Sequence, residues 1–226
     1  MMSLHYLAKK DEWEVAGMGE NPQRKSIYEI KLNGSRGEED ILSKYKGKVT
    51  LLTNTTGHCG NAPQFGILED LYQKYKDRGF EVLAVPTNDF CGPGVTYGMY
   101  EQGITHAMMS EDYAREEWDV TYGFSDIVVS VPFRDEEKDD PNKTPHELYM
   151  NLNPDMEASP MYGNFEKFLI DRSGKVVWRL PNFVLLNFGY EGGYCDSPEV
   201  ELSRLMEKIE ELLDEPWDGE SYTYEP

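Results

Sequence analysis

The chain has 226 residues, enough for one domain with a sizeable core and some decoration. Its 39% hydrophobic and 12% aromatic content is that of an ordinary globular protein. A formal net charge of −20 argues against nucleic acid or an anionic membrane surface as partner, and no apolar run approaches the ~20 residues of a membrane span.

The opening MMSLHYLAKKDEWEV lacks the apolar stretch of a signal peptide, so a cytoplasmic location is expected. Three cysteines, Cys59, Cys91 and Cys195, are too few and too scattered for a secreted disulfide scaffold. There is no CxxC, HExxH or paired Cys/His spacing, so neither a dedicated metal site nor a cofactor is expected.

Residues 1–25 read as an N-terminal extension: polar, with Gly17, Gly19 and Pro22, and without a sustained period. Residues 26–213 read as the domain and residues 214–226 as an acidic tail. Ser26–Leu32 (SIYEIKL) alternates apolar and polar residues, which predicts a half-buried strand, and Asn33-Gly34 predicts a turn. Val49–Thr53 is a largely apolar strand suited to the middle of a sheet.

After that strand a polar turn leads to Cys59 and then to a helical pattern. Phe65, Leu68, Leu71, Tyr72 and Tyr75 recur at spacings of three and four; Pro63 suits the first turn and Gly79 the C-cap. Phe80–Pro86 is the next strand, so strand, helix and strand form a parallel, right-handed unit. The turn-rich segment Thr87–Gly94 then falls at the carboxyl end of that strand, the edge where α/β sheets form sites. Ser110–Trp118 predicts a short helix capped by Ser110, and Ile127–Val131 a short strand or core-filling segment. Arg134–Thr144 is a charged surface loop, and Pro145–Asn151 reads as one or two helical turns. Asn164–Asp171 and Lys175–Leu180, joined by Arg172-Ser173-Gly174, predict a hairpin. Asn182–Tyr194 is aromatic and glycine-rich without a period. Ser197-Pro198-Glu199 opens a last helix to Leu213 with a wide apolar face.

A thiol between a strand and a helix N-terminus sits where unpaired N–H groups and the helix dipole favour an anion, so Cys59 is expected to be a reactive thiolate. A buried structural cysteine is the competing reading. His58 flanks it; it can shuttle a proton, but neighbouring side chains along an extended segment point apart, which would leave it merely exposed. His106 and His146 carry no motif and read as surface or capping residues. The element order, with the thiol ahead of the first helix, predicts an α/β, thioredoxin-like fold: a central mixed sheet flanked by helices.

Three segments resemble the glutathione peroxidase family. They are GKVTLLTNTTGHCGNAPQFGILEDLYQKYKDRGFEVLAVP, the PTNDF of Pro86–Phe90, which is similar to that family's P-C-N-Q-F signature, and GNFEKFLIDRSGKVV, which is similar to its W-N-F-x-K-F-L-I-D segment. The likeness runs in order from about Ser26 to Leu213. It implies a thiol-dependent peroxidase in which Cys59 attacks peroxide and becomes a sulfenic acid, with Asn164 donating a hydrogen bond to the anion. The family's glutamine is replaced by Asp89 and its tryptophan by Gly163. An ionised aspartate only accepts hydrogen bonds and raises the pKa of a nearby thiol. Gly163 leaves room that Trp178, Tyr162, the 182–194 insert or a larger substrate can fill.

The resemblance also implies a resolving thiol. Cys91, two residues beyond the glutamine position, and Cys195 are the candidates, with two unengaged thiols as the alternative; a Cys59–Cys91 disulfide requires Cα atoms within about 7 Å. The implied partners are a peroxide or other small electrophile, and a thioredoxin-like protein or low-molecular-weight thiol as reductant, acting on a monomer or dimer. The two replacements motivate the rival expectation, a repurposed scaffold that senses redox state, binds a partner or performs other thiol chemistry.

Overall fold

A computed structural model describes residues 23, 25–57, 60–87, 89, 107–128, 130, 144–153, 161, 163–182, 185 and 198–223. Five strands form one mixed sheet: β1 (Val49–Thr55), β2 (Phe80–Pro86), β3 (Gly123–Phe124), β4 (Lys167–Ile170) and β5 (Val176–Leu180), in the order β3-β2-β1-β4-β5. The helices are α1 (Gln64–Tyr75), α2 (Ala107–Trp118), α3 (Glu147–Leu152) and α4 (Pro198–Asp214).

All seven residues of β1 are buried, as its apolar run requires of a central strand. It pairs in parallel with β2, from Val49↔Phe80 to Thr55↔Pro86, and antiparallel with β4, from Thr50↔Ile170 to Thr53↔Lys167. The strand alternation divides the core in two. Val49, Leu51, Val82, Ala84, Leu169 and Trp178 face α1 and α4. Leu52, Leu83, Val85, Phe168 and Ile170 face α3 and the 27–45 segment. α1 ends through a 3-10 turn at Lys76–Arg78, and Gly79 (φ +93°) takes the left-handed position expected of a C-cap.

Three expected elements differ. Ser26–Leu32 is not a strand: it contains a 3-10 turn, Ile27–Glu29, whose Tyr28 N donates to Ser26 Oγ. Ile27 and Tyr28 are both buried, which successive residues of a half-buried strand cannot be. The Tyr28 hydroxyl is drawn inward by Lys48 O (2.7 Å), Thr50 Oγ1 (3.0 Å) and Asp171 O (3.1 Å). In Ile127–Val131, expected as a short strand or core-filling segment, Ile127, Val128 and Ser130 are not in a strand, and Val129 and Val131 lie outside the described residues; the strand here is the earlier Gly123–Phe124. Asp126 turns the chain away by accepting from Ile127 N on its own side chain (2.9 Å). α2 begins at Ala107, three residues before the expected cap Ser110, because Ala107, Met108 and Met109 are themselves good helix formers.

The helix expected near Pro145–Asn151, the last helix and the hairpin are all present, whereas the expectations for residues 1–22, 90–106, 131–143, 186–197 and 224–226 lie outside the described residues. His146 caps α3, its Nδ1 accepting from Leu148 N at 3.1 Å. α4 opens at Pro198. The hairpin turns through Asp171, whose Oδ1 accepts from Ser173 N, Ser173 Oγ and Lys175 N. His106 lies outside the described residues.

Candidate active site

The sheet register brings four segments to one edge. β1 and β2 run parallel, so the 56–63 turn and the 87–89 loop leave their carboxyl ends together. β4 runs the other way, so the 163–166 segment enters at that same edge, and 181–182 leave β5 there, with Lys167 opposite Leu180. Cys59, His58, Cys91, Cys195 and Tyr162 lie outside the described residues. The flanks of Cys59 are described: β1 delivers the chain to Gly57, and Gly60–Pro63 coils into α1, with Gln64 N donating to Asn61 O (3.0 Å) and Phe65 N to Ala62 O (2.9 Å).

Asn164 is buried, 6% exposed, and its Oδ1 has no hydrogen-bond partner among the described residues. Its backbone carbonyl accepts from Asn61 Nδ2 at 3.0 Å, which ties it to the turn that follows Cys59. Its placement depends on Asn54, a polar residue buried in β1 that sequence reasoning missed. Asn54 Nδ2 donates to Gly163 O (3.0 Å), its Oδ1 accepts from Glu166 N (2.9 Å), and its own carbonyl accepts from Phe165 N (2.6 Å). This clamp holds Phe165 at φ +68°, a left-handed conformation rare for an aromatic residue. The strained turn sends the Phe165 ring into the core, edge-on to Phe65 with centroids 4.9 Å apart. The available signal was an asparagine inside a β-branched run, where an unpaired amide would be costly.

Asp89 is also buried at this edge. Its Oδ2 accepts from Thr87 Oγ1 (2.6 Å), Ser130 Oγ (2.8 Å) and Ser130 N (2.5 Å). Thr87 is itself anchored, its N–H donating to Thr55 O at 2.9 Å. One oxygen of the carboxylate is therefore engaged by three donors of its own and the neighbouring loop.

Beneath the Asn164 turn is a second polar group. Gln64 is fully buried; its Nε2 donates to Asn182 O at 2.7 Å while its Oε1 has no partner among the described residues. Lys167 is fully buried too, its Nζ reaching Pro181 O and Asn182 O at 3.4 Å. Burial pushes its ammonium down to about 7, against the smaller opposing effect of the Glu166 charge. Glu166 points to the other face of the sheet, where Arg179 binds it. The room at Gly163 is taken by Asn182: a Cβ on Gly163 would lie 2.4 Å from Asn182 Nδ2. Trp178 instead packs in the helical core with its Nε1 unpartnered. Among the described residues no group of three His, Cys, Asp or Glu side chains could hold a metal ion.

A mixed five-stranded sheet in the order β3-β2-β1-β4-β5, flanked by helices, is a thioredoxin-like scaffold. The crystal structure of T. cruzi GPX1 has the same fold, at a TM-score of 0.52 and 25% identity, covering 84% of this chain and 97% of that one. The family model described as glutathione peroxidase matches residues 27–123. The glutathione peroxidase homolog BsaA of Halalkalibacterium halodurans is 33% identical over 191 residues, covering 83% of this chain and 99% of that protein. The glutathione peroxidase-like peroxiredoxin 2 of Saccharomyces cerevisiae is 33% identical over 159 residues, covering 68% and 86%. The chain belongs to the glutathione peroxidase family.

Proposed function

We propose that this protein is a thiol peroxidase with Cys59 as its nucleophile. What supports the reading is that the described flanks of Cys59, Gly57 and Gly60, share one sheet edge with Asn164 and Asp89, in a chain of this family. The Cys59 thiolate attacks one peroxide oxygen. The O–O bond breaks, the distal oxygen leaves as water or an alcohol after taking a proton, and the sulfur becomes a sulfenic acid. A second thiol, Cys91 or Cys195, condenses with the sulfenic acid, releasing water and forming a disulfide. A thioredoxin-like protein or low-molecular-weight thiol then reduces the disulfide by exchange, on a monomer or dimer. His58 is the candidate to move the proton.

Asn164 is suited to steady the anion. It is buried beside the turn, and with its Oδ1 unpartnered its side chain is not committed to the fold through that oxygen. Asp89 is a replacement for a donor, but three hydrogen bonds to its Oδ2 hold that oxygen within the loop, which limits its repulsion of a thiolate. The rival reading, a scaffold with other thiol chemistry, draws on Gly163 and Asp89, the two positions that carry no donor side chain.

The test exposes reduced protein to a small excess of hydrogen peroxide and follows intact mass and mapped peptides. Loss of two hydrogens mapped to Cys59 and Cys91 supports the cycle and names the resolving thiol; the same loss at Cys59 and Cys195 names the other. Oxidation no faster than that of free cysteine rejects the peroxidase reading in favour of the rival.

A further inference from the structure

Position 163 has no side chain, yet the volume beside it is not empty. The Asn182 amide stands there, with Nδ2 2.4 Å and Cγ 3.2 Å from where a Cβ on Gly163 would lie. Gly163 adjoins Asn164, whose carbonyl is bound to the turn after Cys59. Two buried side chains hold Asn182 from below through its own carbonyl, Gln64 at 2.7 Å and Lys167 at 3.4 Å. Both come from elements that frame the thiol turn: Gln64 opens α1 and Lys167 opens β4. The Asn182 amide N–H groups make no hydrogen bond to another described residue, although the backbone that carries them is doubly anchored. An anchored backbone presenting an uncommitted amide donor, packed against the residue that precedes a buried amide, is the arrangement of a preorganised anion-stabilising group.

We propose that Asn182 is a positioning residue of the thiol site: its side chain occupies the place vacant at Gly163 and, together with Asn164, sets the reactivity of Cys59. This rests on the thiol peroxidase reading above. Glycine at 163 and asparagine at 182 are then two halves of one feature, because any larger side chain at 163 displaces the amide.

The test measures the pH profile of Cys59 alkylation by iodoacetamide, resolved by peptide mass, and the rate of Cys59 oxidation by hydrogen peroxide, in wild type, Asn182→Ala and Gly163→Ala. Asn182→Ala is expected to slow peroxide oxidation about tenfold and to move the alkylation midpoint upward by roughly one pH unit. Gly163→Ala keeps Asn182 and pushes only the far end of its side chain, so it shifts both readouts the same way if Asn182→Ala does not fold. A residue that merely packs the turn leaves the midpoint in place. Wild type reactive with both folded variants superimposing on it overturns the role of Asn182 and spares the peroxidase reading. Wild type with an ordinary thiol midpoint and no peroxide reactivity overturns both.

Discussion

Lys167, at the start of β4, holds an amine with no exposed surface. Burial lowers its pKa from 10.5 to about 7. Between those values the unfolded chain holds a proton that the folded chain has released, so stability rises with pH across that window. Below about 7 both states are protonated and the full cost of the buried ammonium is felt; above 10.5 both are neutral and it is gone. The expected slope between pH 7 and 9 is at most about 1.4 kcal/mol per pH unit. Lys167→Met, which keeps the length and removes the charge, is expected to be the more stable protein at pH 7, with the difference shrinking towards pH 9. Urea denaturation of both proteins at several pH values checks this; parallel curves would mean that Lys167 stays charged in the fold. Glu111 shows the opposite balance. Burial opposes its charge, but hydrogen bonds from Ser35 and Arg115 and the Arg36 charge outweigh burial and lower its pKa. What separates the two residues is the kind of partner: Glu111 has cations and a hydroxyl, whereas Lys167 reaches two distant carbonyls.

The β4–β5 hairpin shows how an element depends on one backbone position. Gly174 sits at φ +90°, and a Cβ there would lie 3.0 Å from Tyr28 Cδ2 and closer still to Ser26 Oγ. Ser26 Oγ is committed, donating to Ser173 O at 2.7 Å. Gly174→Ala therefore combines left-handed strain with a clash and is expected to lose about 2–3 kcal/mol in chemical denaturation. Gly37→Ala, at φ +86° with open space around it, is expected to lose about 1 kcal/mol from strain alone. Equal losses at the two positions would show that the 26–28 segment yields to the added methyl. The hairpin itself was legible from Arg172-Ser173-Gly174 between two apolar runs, and so were the parallel β1–α1–β2 unit and α4, because each is specified by local period and caps. Ser26–Leu32 misled because its alternation also fits a 3-10 turn in which a tyrosine hydroxyl finds buried acceptors. The candidate positions Asn164 and Asp89 rest on the likeness of the GNFEKFLID and PTNDF segments to the family's motifs, not on local period. Asn54 was not legible, since it acts on residues more than a hundred positions away; for the room at Gly163 the 182–194 insert was one of several candidates, and only the strand register shows that its first residue, Asn182, stands there.

At the scale of the whole molecule, the two ends of the sheet carry different tasks. The edge proposed to react holds Asn164, Asp89 and the described flanks of Cys59. The opposite end, about 20 Å along the seven-residue β1, is closed by the acidic tail. Tyr222 N donates to Ser173 O (2.8 Å), and Tyr222 O accepts from Ser26 N (3.2 Å). Arg172 donates to Glu215 O at 2.8 Å, and Trp217 covers Gly47, where φ is +84° and an added Cβ would meet the indole. Lys25 and Thr223 form a bridge, so the tail joins the chain entering the domain to the hairpin turn. A net charge of −20 makes this closure the more telling, because an acidic segment is repelled by the rest of the molecule and stays docked through backbone hydrogen bonds, the Arg172 guanidinium, the Tyr222 side chain and one indole. Truncation after Asp214 is therefore expected to lower stability by about 2–3 kcal/mol, a fall in Tm of roughly 4–10 °C, from the hydrogen bonds and apolar cover it removes. The rate of Cys59 oxidation by peroxide at 25 °C is expected to stay within about twofold of the full chain, because no hydrogen bond of the tail reaches the 56–63, 87–89 or 163–166 segments among the described residues. Thermal melts and peroxide kinetics on the same preparation separate the two effects. A truncated protein that melts normally but reacts slowly would mean that the sheet transmits strain from its closed end to its reacting edge, and the division of labour between the two ends would fall.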